Sequence, residues 1–174
     1  DGIRDVESSR GLGDVYKRQC LDPQYVQVRD LLDPPPLRPV FKSEHIFPGL
    51  GDAGAHVSQI MDAGWSTFML SYWHRETGYY SMGQVIQKMT SGPARVVGLE
   101  DRGLIKEGMR ADINVFDADK VSEQQPELVH DFPGGAPRYI QKANGYKATI
   151  VNGQISVREG ELTGPRAGQV LRSA

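Results

Sequence analysis

Near Gly103 the spacing of apolar residues changes period, and that change constrains the chain more than any single motif. Upstream, residues 58–75 carry Ile60, Met61, Trp65, Phe68, Met69, Tyr72 and Trp73, spaced by three or four along much of the run, which predicts a helix despite Gly64. Ser81 is placed to start a second helix with Met82, Val85, Ile86 and Met89 as its stripe, and Ser91–Gly92–Pro93 stops it. Pro93 then suits the opening of a short helical turn that Gly98 would cap. Downstream the pattern is one of short alternating runs between turn signals: Leu104–Ile105 before Lys106–Glu107–Gly108, and residues 111–116 before Asp117–Ala118–Asp119. Asn152–Gly153, between residues 148–151 and 154–157, is what a two-residue hairpin turn requires. Residues 122–143 hold Pro126, Pro133, Gly134, Gly135 and Pro137 and read as a long irregular excursion, of the kind that covers a neighbouring surface or a site.

The remaining segments read less regularly. Residues 1–19 are densely charged, lack any apolar period and have no apolar core of a secretory leader. They resemble translated sequencing-adapter DNA and are expected to be an artefactual or disordered tail, with the natural sequence starting near Cys20 in a truncated reading frame. Asp33–Pro34–Pro35–Pro36 ends a short ambiguous apolar pattern and favours an extended segment. Residues 44–50 read as a short buried strand running into the Gly51–Asp52–Ala53–Gly54 turn. Of 174 residues, 20 Lys and Arg stand against 22 Asp and Glu, a net charge of −2 that removes the electrostatic case for nucleic-acid or anionic-membrane binding. The lone Cys20 cannot form an internal disulfide, and no apolar run approaches the roughly 20 residues of a spanning helix. A cytoplasmic location is the default expectation.

An Asp at the end of a strand, flanked by Gly51 and Gly54 and followed by His56, is where open-sheet and barrel enzymes place their chemistry; a plain turn is the competing reading. Asp52 and His56 alone do not make the four-coordinate shell that zinc prefers. His45, His74 and His130 are widely separated and read respectively as a strand residue bonded to backbone, a helix-face residue and a loop residue. A nucleophilic triad of Ser58, His56 and Asp52 lacks its nucleophile elbow, and Gly11–Leu12–Gly13 lacks the strand-to-helix context of a phosphate loop. Tyr72, Trp73, Tyr79 and Tyr80 are core or interface aromatics, with the pair beside Gly78 open to a pocket-lining role.

Four strings then fall in order: Gly49–Leu50–Gly51–Asp52–Ala53–Gly54–Ala55–His56–Val57, Thr90–Ser91–Gly92–Pro93–Ala94–Arg95–Val96–Val97–Gly98–Leu99, Arg102–Gly103–Leu104–Ile105–Lys106–Glu107–Gly108–Met109–Arg110–Ala111–Asp112, and Val151–Asn152–Gly153. As a set they resemble the C-terminal part of a metal-dependent amidohydrolase, nearest to the N-acyl-D-amino-acid deacylase group, over about residues 40–165. The resemblance implies an α/β fold: the C-terminal part of a (β/α)8 barrel over residues 20–102 and part of a small β-sandwich over residues 103–174. It also implies that Asp52 faces a metal centre as both catalytic carboxylate and metal contact, taking a proton from the metal-bound water and passing it to the leaving nitrogen. One or two zinc ions would make that water useful by lowering its pKa from about 15.7 to about 7. The family's His-x-His pair, its other His ligands and the ligating Cys of the deacylase branch have no counterpart here. The family's substrate-holding Arg, eleven residues past this Asp, is replaced by Ala63, with Arg75 as a substitute or a solvent-facing helical residue. No substrate-binding residue is assigned. Arg95 is read as structural, and Asp112 as support for a turn or strand edge.

The expected parent is thus a zinc-dependent hydrolase of linear amides such as N-acyl-D-amino acids, of which this chain is an inactive fragment. A cyclic-amide, hydantoinase-like enzyme and a non-catalytic binding module are the alternatives. The expected partner is a small N-acyl amino acid or related amide, with oligomeric state unassigned.

Overall fold

The computed structural model describes residues 38–49 and 63–171. Among the described residues four helical pieces precede eight strands, so the change of period near Gly103 is a real division of secondary structure. Helix α1 spans Arg38–Lys42, and α2 spans Trp65–Phe68 and continues without a break as a π-helix over Met69–Glu76. The helix expected over 58–75 does not run through Gly64, since Ala63 and Gly64 form a turn and the helix starts at Trp65; from there apolar spacing of three or four locates it but cannot distinguish an i→i−4 bond from the i→i−5 bond that widens its turns, such as Thr77 N donating to Tyr72 O at 2.9 Å.

Helix α3, Met82–Met89, starts where Ser81 predicts. The Ser81 hydroxyl accepts from Gln84 N at 3.3 Å while the Gln84 side chain accepts from Ser81 N at 2.8 Å, so two orphan donors are satisfied reciprocally. Helix α4, Ser91–Val96, ends in a six-to-one bond from Leu99 N to Ala94 O (2.8 Å) and a five-to-two bond from Gly98 N to Arg95 O (3.3 Å). That arrangement puts Gly98 at φ +73°, a value glycine adopts without steric cost.

Strands β1 (Ile113–Phe116), β6 (Tyr146–Val151), β7 (Gln154–Arg158) and β8 (Glu161–Leu162) form one antiparallel sheet in the order β1-β6-β7-β8. Asn152 and Gly153, at φ 49° and 78°, make the predicted two-residue turn between β6 and β7, with Val151 opposite Gln154. The excursion over 122–143 is more ordered than its prolines suggest. It doubles back as a ribbon in which β2 (Ser122–Glu123) pairs with β5 (Ala143–Asn144), and β3 (Glu127–Val129) pairs with β4 (Arg138–Ile140). Pro126 sits between β2 and β3, clear of both ladders, and Pro133–Gly135 forms the 3-10 turn at the tip.

The strand expected over 44–50 is not formed over its described part: residues 44–49 are a turn and irregular chain, and Ile46 is 39% exposed. A buried strand draws its order from ladder neighbours, and none of the described strands lies beside this segment.

The core is built where helix meets ribbon. Met69, Leu70, Tyr72, Trp73, Tyr80, Val85 and Val121 are buried together. Trp73 is ringed edge-on by Phe41 at 5.3 Å and Tyr79 at 5.4 Å. Two buried hydroxyls in this core find partners: Ser71 Oγ donates to Glu123 at 2.6 Å, and Thr67 Oγ1 meets the Tyr146 hydroxyl at 3.1 Å. Among the described residues no helix is long and apolar enough to cross a membrane.

Candidate active site

Asp52, His56 and Ser58 lie outside the described residues. What is described is the stretch of chain that leads to Asp52. It comes off α1 under three constraints. The Tyr80 hydroxyl donates to Phe41 O at 2.6 Å. Lys88, projecting from the last turn of α3, donates from Nζ to Ser43 O and to Ile46 O, both at 2.8 Å. The Phe47 ring lies where any side chain on Gly92 would collide with it. Burial holds the Lys88 ammonium below its ordinary pKa, against the opposing effect of the Glu44 carboxylate, and burial followed by the neighbouring Tyr79 pushes the Tyr80 hydroxyl up to about 12.

A cavity of about 690 Å³ opens between α2, α3 and the sheet, lined by Trp65, Leu70, Ile86, Met89, Phe116 and Tyr146 on its apolar side. Two of the polar residues that line it, Asp112 and Asn114, are engaged in internal contacts. Asp112 accepts from Arg102 at 3.1 Å and from Asn152 N at 2.8 Å, and the Asn114 side-chain oxygen accepts from Thr149 Oγ1 at 2.9 Å. The Asp112 contacts make it a brace for the hairpin turn, as the sequence suggested. Arg102 and Arg110 also bracket Asp101 at 3.0 and 2.7 Å, and together they hold its carboxyl at about 2. Among the described residues no group of three His, Cys, Asp or Glu is placed to hold a metal ion, so no step through a metal can be built from them.

The remaining candidates are resolved individually. His45 is an exposed turn residue rather than a strand residue, its backbone N–H donating to Ser43 Oγ at 3.3 Å. His74 lies on the π-helix with Nδ1 2.9 Å from Tyr80 O, and His130 is in a loop with Nδ1 3.1 Å from Gly135 O. Arg75 is exposed on the π-helix, in keeping with the solvent-facing reading, and its Nη1 donates to Val121 O at 2.7 Å and Ala118 O at 3.2 Å, tying the loop before the ribbon onto the helix. Ala63 sits in an exposed turn. Tyr79 and Tyr80 belong to the aromatic core and do not line the cavity. Nothing in the residues around Lys88 signals these contacts, because a lysine on a helix next to an apolar stripe is ordinarily a solvated residue.

Residues 35–157 match the profile of the Amidohydrolase family. The chain is similar to an N-acyl-D-aspartate deacylase of Alcaligenes xylosoxydans xylosoxydans, 38% identical over 110 residues that make up 62% of this chain and 20% of the relative. It is also similar to a dihydroorotase of Endomicrobium trichonymphae, 36% identical over 81 residues, 46% of this chain and 19% of the relative. A crystal structure of D-aminoacylase aligns at 29% identity with a TM-score of 0.49, covering 62% of this chain and 21% of that one. The chain thus spans about a fifth of the length of the relatives it matches.

Proposed function

The chain belongs to the amidohydrolase family, and from that membership we propose that it is the C-terminal part of a zinc-dependent, cytoplasmic hydrolase of linear amide C–N bonds, an N-acyl-D-amino-acid deacylase. In this reading residues 20–102 end the catalytic barrel, residues 103–174 form part of a β-sandwich, and residues 1–19 belong to neither. The observation that carries it is the 38% identity to an N-acyl-D-aspartate deacylase over 110 residues, together with a family match over residues 35–157, a span that includes Asp52.

Asp52 is the carboxylate that takes a proton from the attacking water and delivers it to the departing nitrogen as the C–N bond breaks. It would also contact the metal, whose remaining ligands would come from residues outside this chain. Bound zinc, as one or two ions, supplies the acidity that lets water attack at neutral pH. With Ala63 in the exposed turn, the substrate carboxylate must be held by a group other than an Arg at that position. The similarity to dihydroorotase favours a second reading, opening of a cyclic amide.

The test is to express the full-length gene and assay N-acetyl-D-aspartate, N-acetyl-D-glutamate and dihydroorotate with wild type and Asp52→Asn. The expected result is turnover of the acyl amino acids and a fall in kcat of about 10²–10⁴-fold in the variant. Turnover of dihydroorotate alone would establish the second reading. No turnover of any of the three compounds by either protein, with no copurifying metal, would replace both with a binding module.

A further inference from the structure

Asn144 and Asn152 are each followed by glycine. In that setting the side-chain amide is open to attack by the next main-chain nitrogen, because glycine has no Cβ to hinder the approach. The fold treats the two pairs differently. At the β6–β7 turn the Gly153 N–H donates to Ala111 O at 3.0 Å and Asp112 accepts from Asn152 N at 2.8 Å, so the nitrogen that would attack is engaged and its turn is braced. Gly145, between β5 and β6, is partly exposed, and its N–H meets no acceptor among the described residues. Glycine is required at this corner, since φ is +82° and an added Cβ would stand 2.6 Å from Val121 N. The exposed Asn144 side chain is held ready for the same chemistry. Its Oδ1 accepts from Gln124 Nε2 at 2.7 Å, a donor placed on the oxygen where attack on Cγ develops negative charge, and its Nδ2 donates to Ser122 Oγ at 3.3 Å.

We propose that Asn144 is a covalent modification site, converted through a cyclic imide with the Gly145 nitrogen, and that the chemically identical Asn152–Gly153 pair is held inert by its hairpin. The Gly145 nitrogen gives up its proton to solvent and bonds to Asn144 Cγ. The Cγ–Nδ2 bond then breaks, and the departing nitrogen takes up a proton and leaves as ammonia. Water opens the ring at either carbonyl, leaving an aspartyl or an isoaspartyl residue at position 144, so one ammonia is lost and one water is gained. Both products add a negative charge, and the isoaspartyl form also adds a methylene to the main chain. That extra atom falls where the ribbon joins the sheet. It displaces the pairing of Asn144 with Ser122 and the bond from Asp117 N to Gly145 O, now 2.8 Å, so the modification loosens the ribbon and leaves the β6–β7 hairpin in place.

The test follows both asparagines in one sample. The 174-residue chain is incubated at mildly alkaline pH, folded and in guanidinium chloride, then digested, and the peptides holding each residue are resolved by chromatography and mass spectrometry into unmodified, imide, aspartyl and isoaspartyl forms. In the folded chain Asn144 is expected to convert at least about tenfold faster than Asn152, with slow solvent exchange of the Gly153 amide. In guanidinium chloride the two rates should become similar, because both residues precede glycine. Gln124→Met, which removes the donor to Oδ1, should slow conversion of Asn144 in the folded chain about tenfold and leave its rate in guanidinium chloride unchanged. Equal or faster conversion of Asn152 in the folded chain overturns the proposal, as does an inert Asn144 there that converts once unfolded. An excess at Asn144 that persists in guanidinium chloride also overturns it, by tracing the difference to adjacent residues and not to the fold. An undiminished rate in Gln124→Met overturns the part given to Gln124.

Discussion

Asp101 shows how little of a residue's role its own chemistry decides. An Asp beside an Arg in a turn is ordinary, but the fold returns Arg110 to its other side, so one carboxylate serves two guanidinium groups at 3.0 and 2.7 Å. Its pKa falls from 3.8 to about 2, with Arg102 the larger cause and Arg110 the next. Because the folded value lies below the unfolded one, the stabilisation is fully present above about pH 3.8 and is lost as the pH falls through about 2. Asp101→Asn should therefore lower the urea midpoint at pH 7, and the gap between variant and wild type should close between about pH 4 and 2. Titrating both proteins in urea at several pH values checks this, and the gap should also shrink in high salt, since the carboxylate is close to half exposed.

At the scale of elements, the pieces whose ends carry their own chemistry form where the residues say. Ser81 with Gln84 starts α3, Gly98 ends α4, and Asn152–Gly153 turns β6 into β7. The hairpin makes the sharpest prediction. Gly153 sits at φ 78°, where a β-branched side chain is strained, so Gly153→Val should cost about 1–2 kcal/mol in urea unfolding. Asn152 Nδ2 and Oδ1 chemistry is not at stake in that variant, and the Asp112 brace on Asn152 N should survive it. An equal loss in Gly168→Val, at a glycine without positive φ, would mean that general loss of flexibility and not turn geometry is being measured. The ribbon over 122–144 is the opposite case. Its strands are two or three residues long, too short to show alternation, and they are ordered by pairing and by Ser71 and Arg75 reaching across from the helix.

At the scale of the whole molecule, Ile105 at 88% exposure and Val96 at 70% stand in solvent, an apolar surface without a cover among the described residues. With no group of metal ligands among those residues either, the 174-residue chain supplemented with zinc should hydrolyse neither N-acetyl-D-aspartate nor dihydroorotate above the blank rate. Turnover by that chain, removed by a chelator, would mean that it assembles a metal site unaided.

Local chemistry determined the change from helix to strand near Gly103, the caps, the hairpin turn and the bracing role of Asp112, because each depends on residues close in sequence or on one backbone conformation that few residues adopt. The Gly51–Asp52–Ala53–Gly54 string and the family it resembles were equally legible, whereas the position of Asp52 lies beyond the described residues. Only the tertiary structure decided the rest: the irregular course of residues 44–49 in place of a strand, the engagement of Arg75 with the ribbon loop, and the grip of Lys88 on two carbonyls more than forty residues upstream. A strand needs a neighbour and a buried charge needs a partner, and neither is written in the residues beside it.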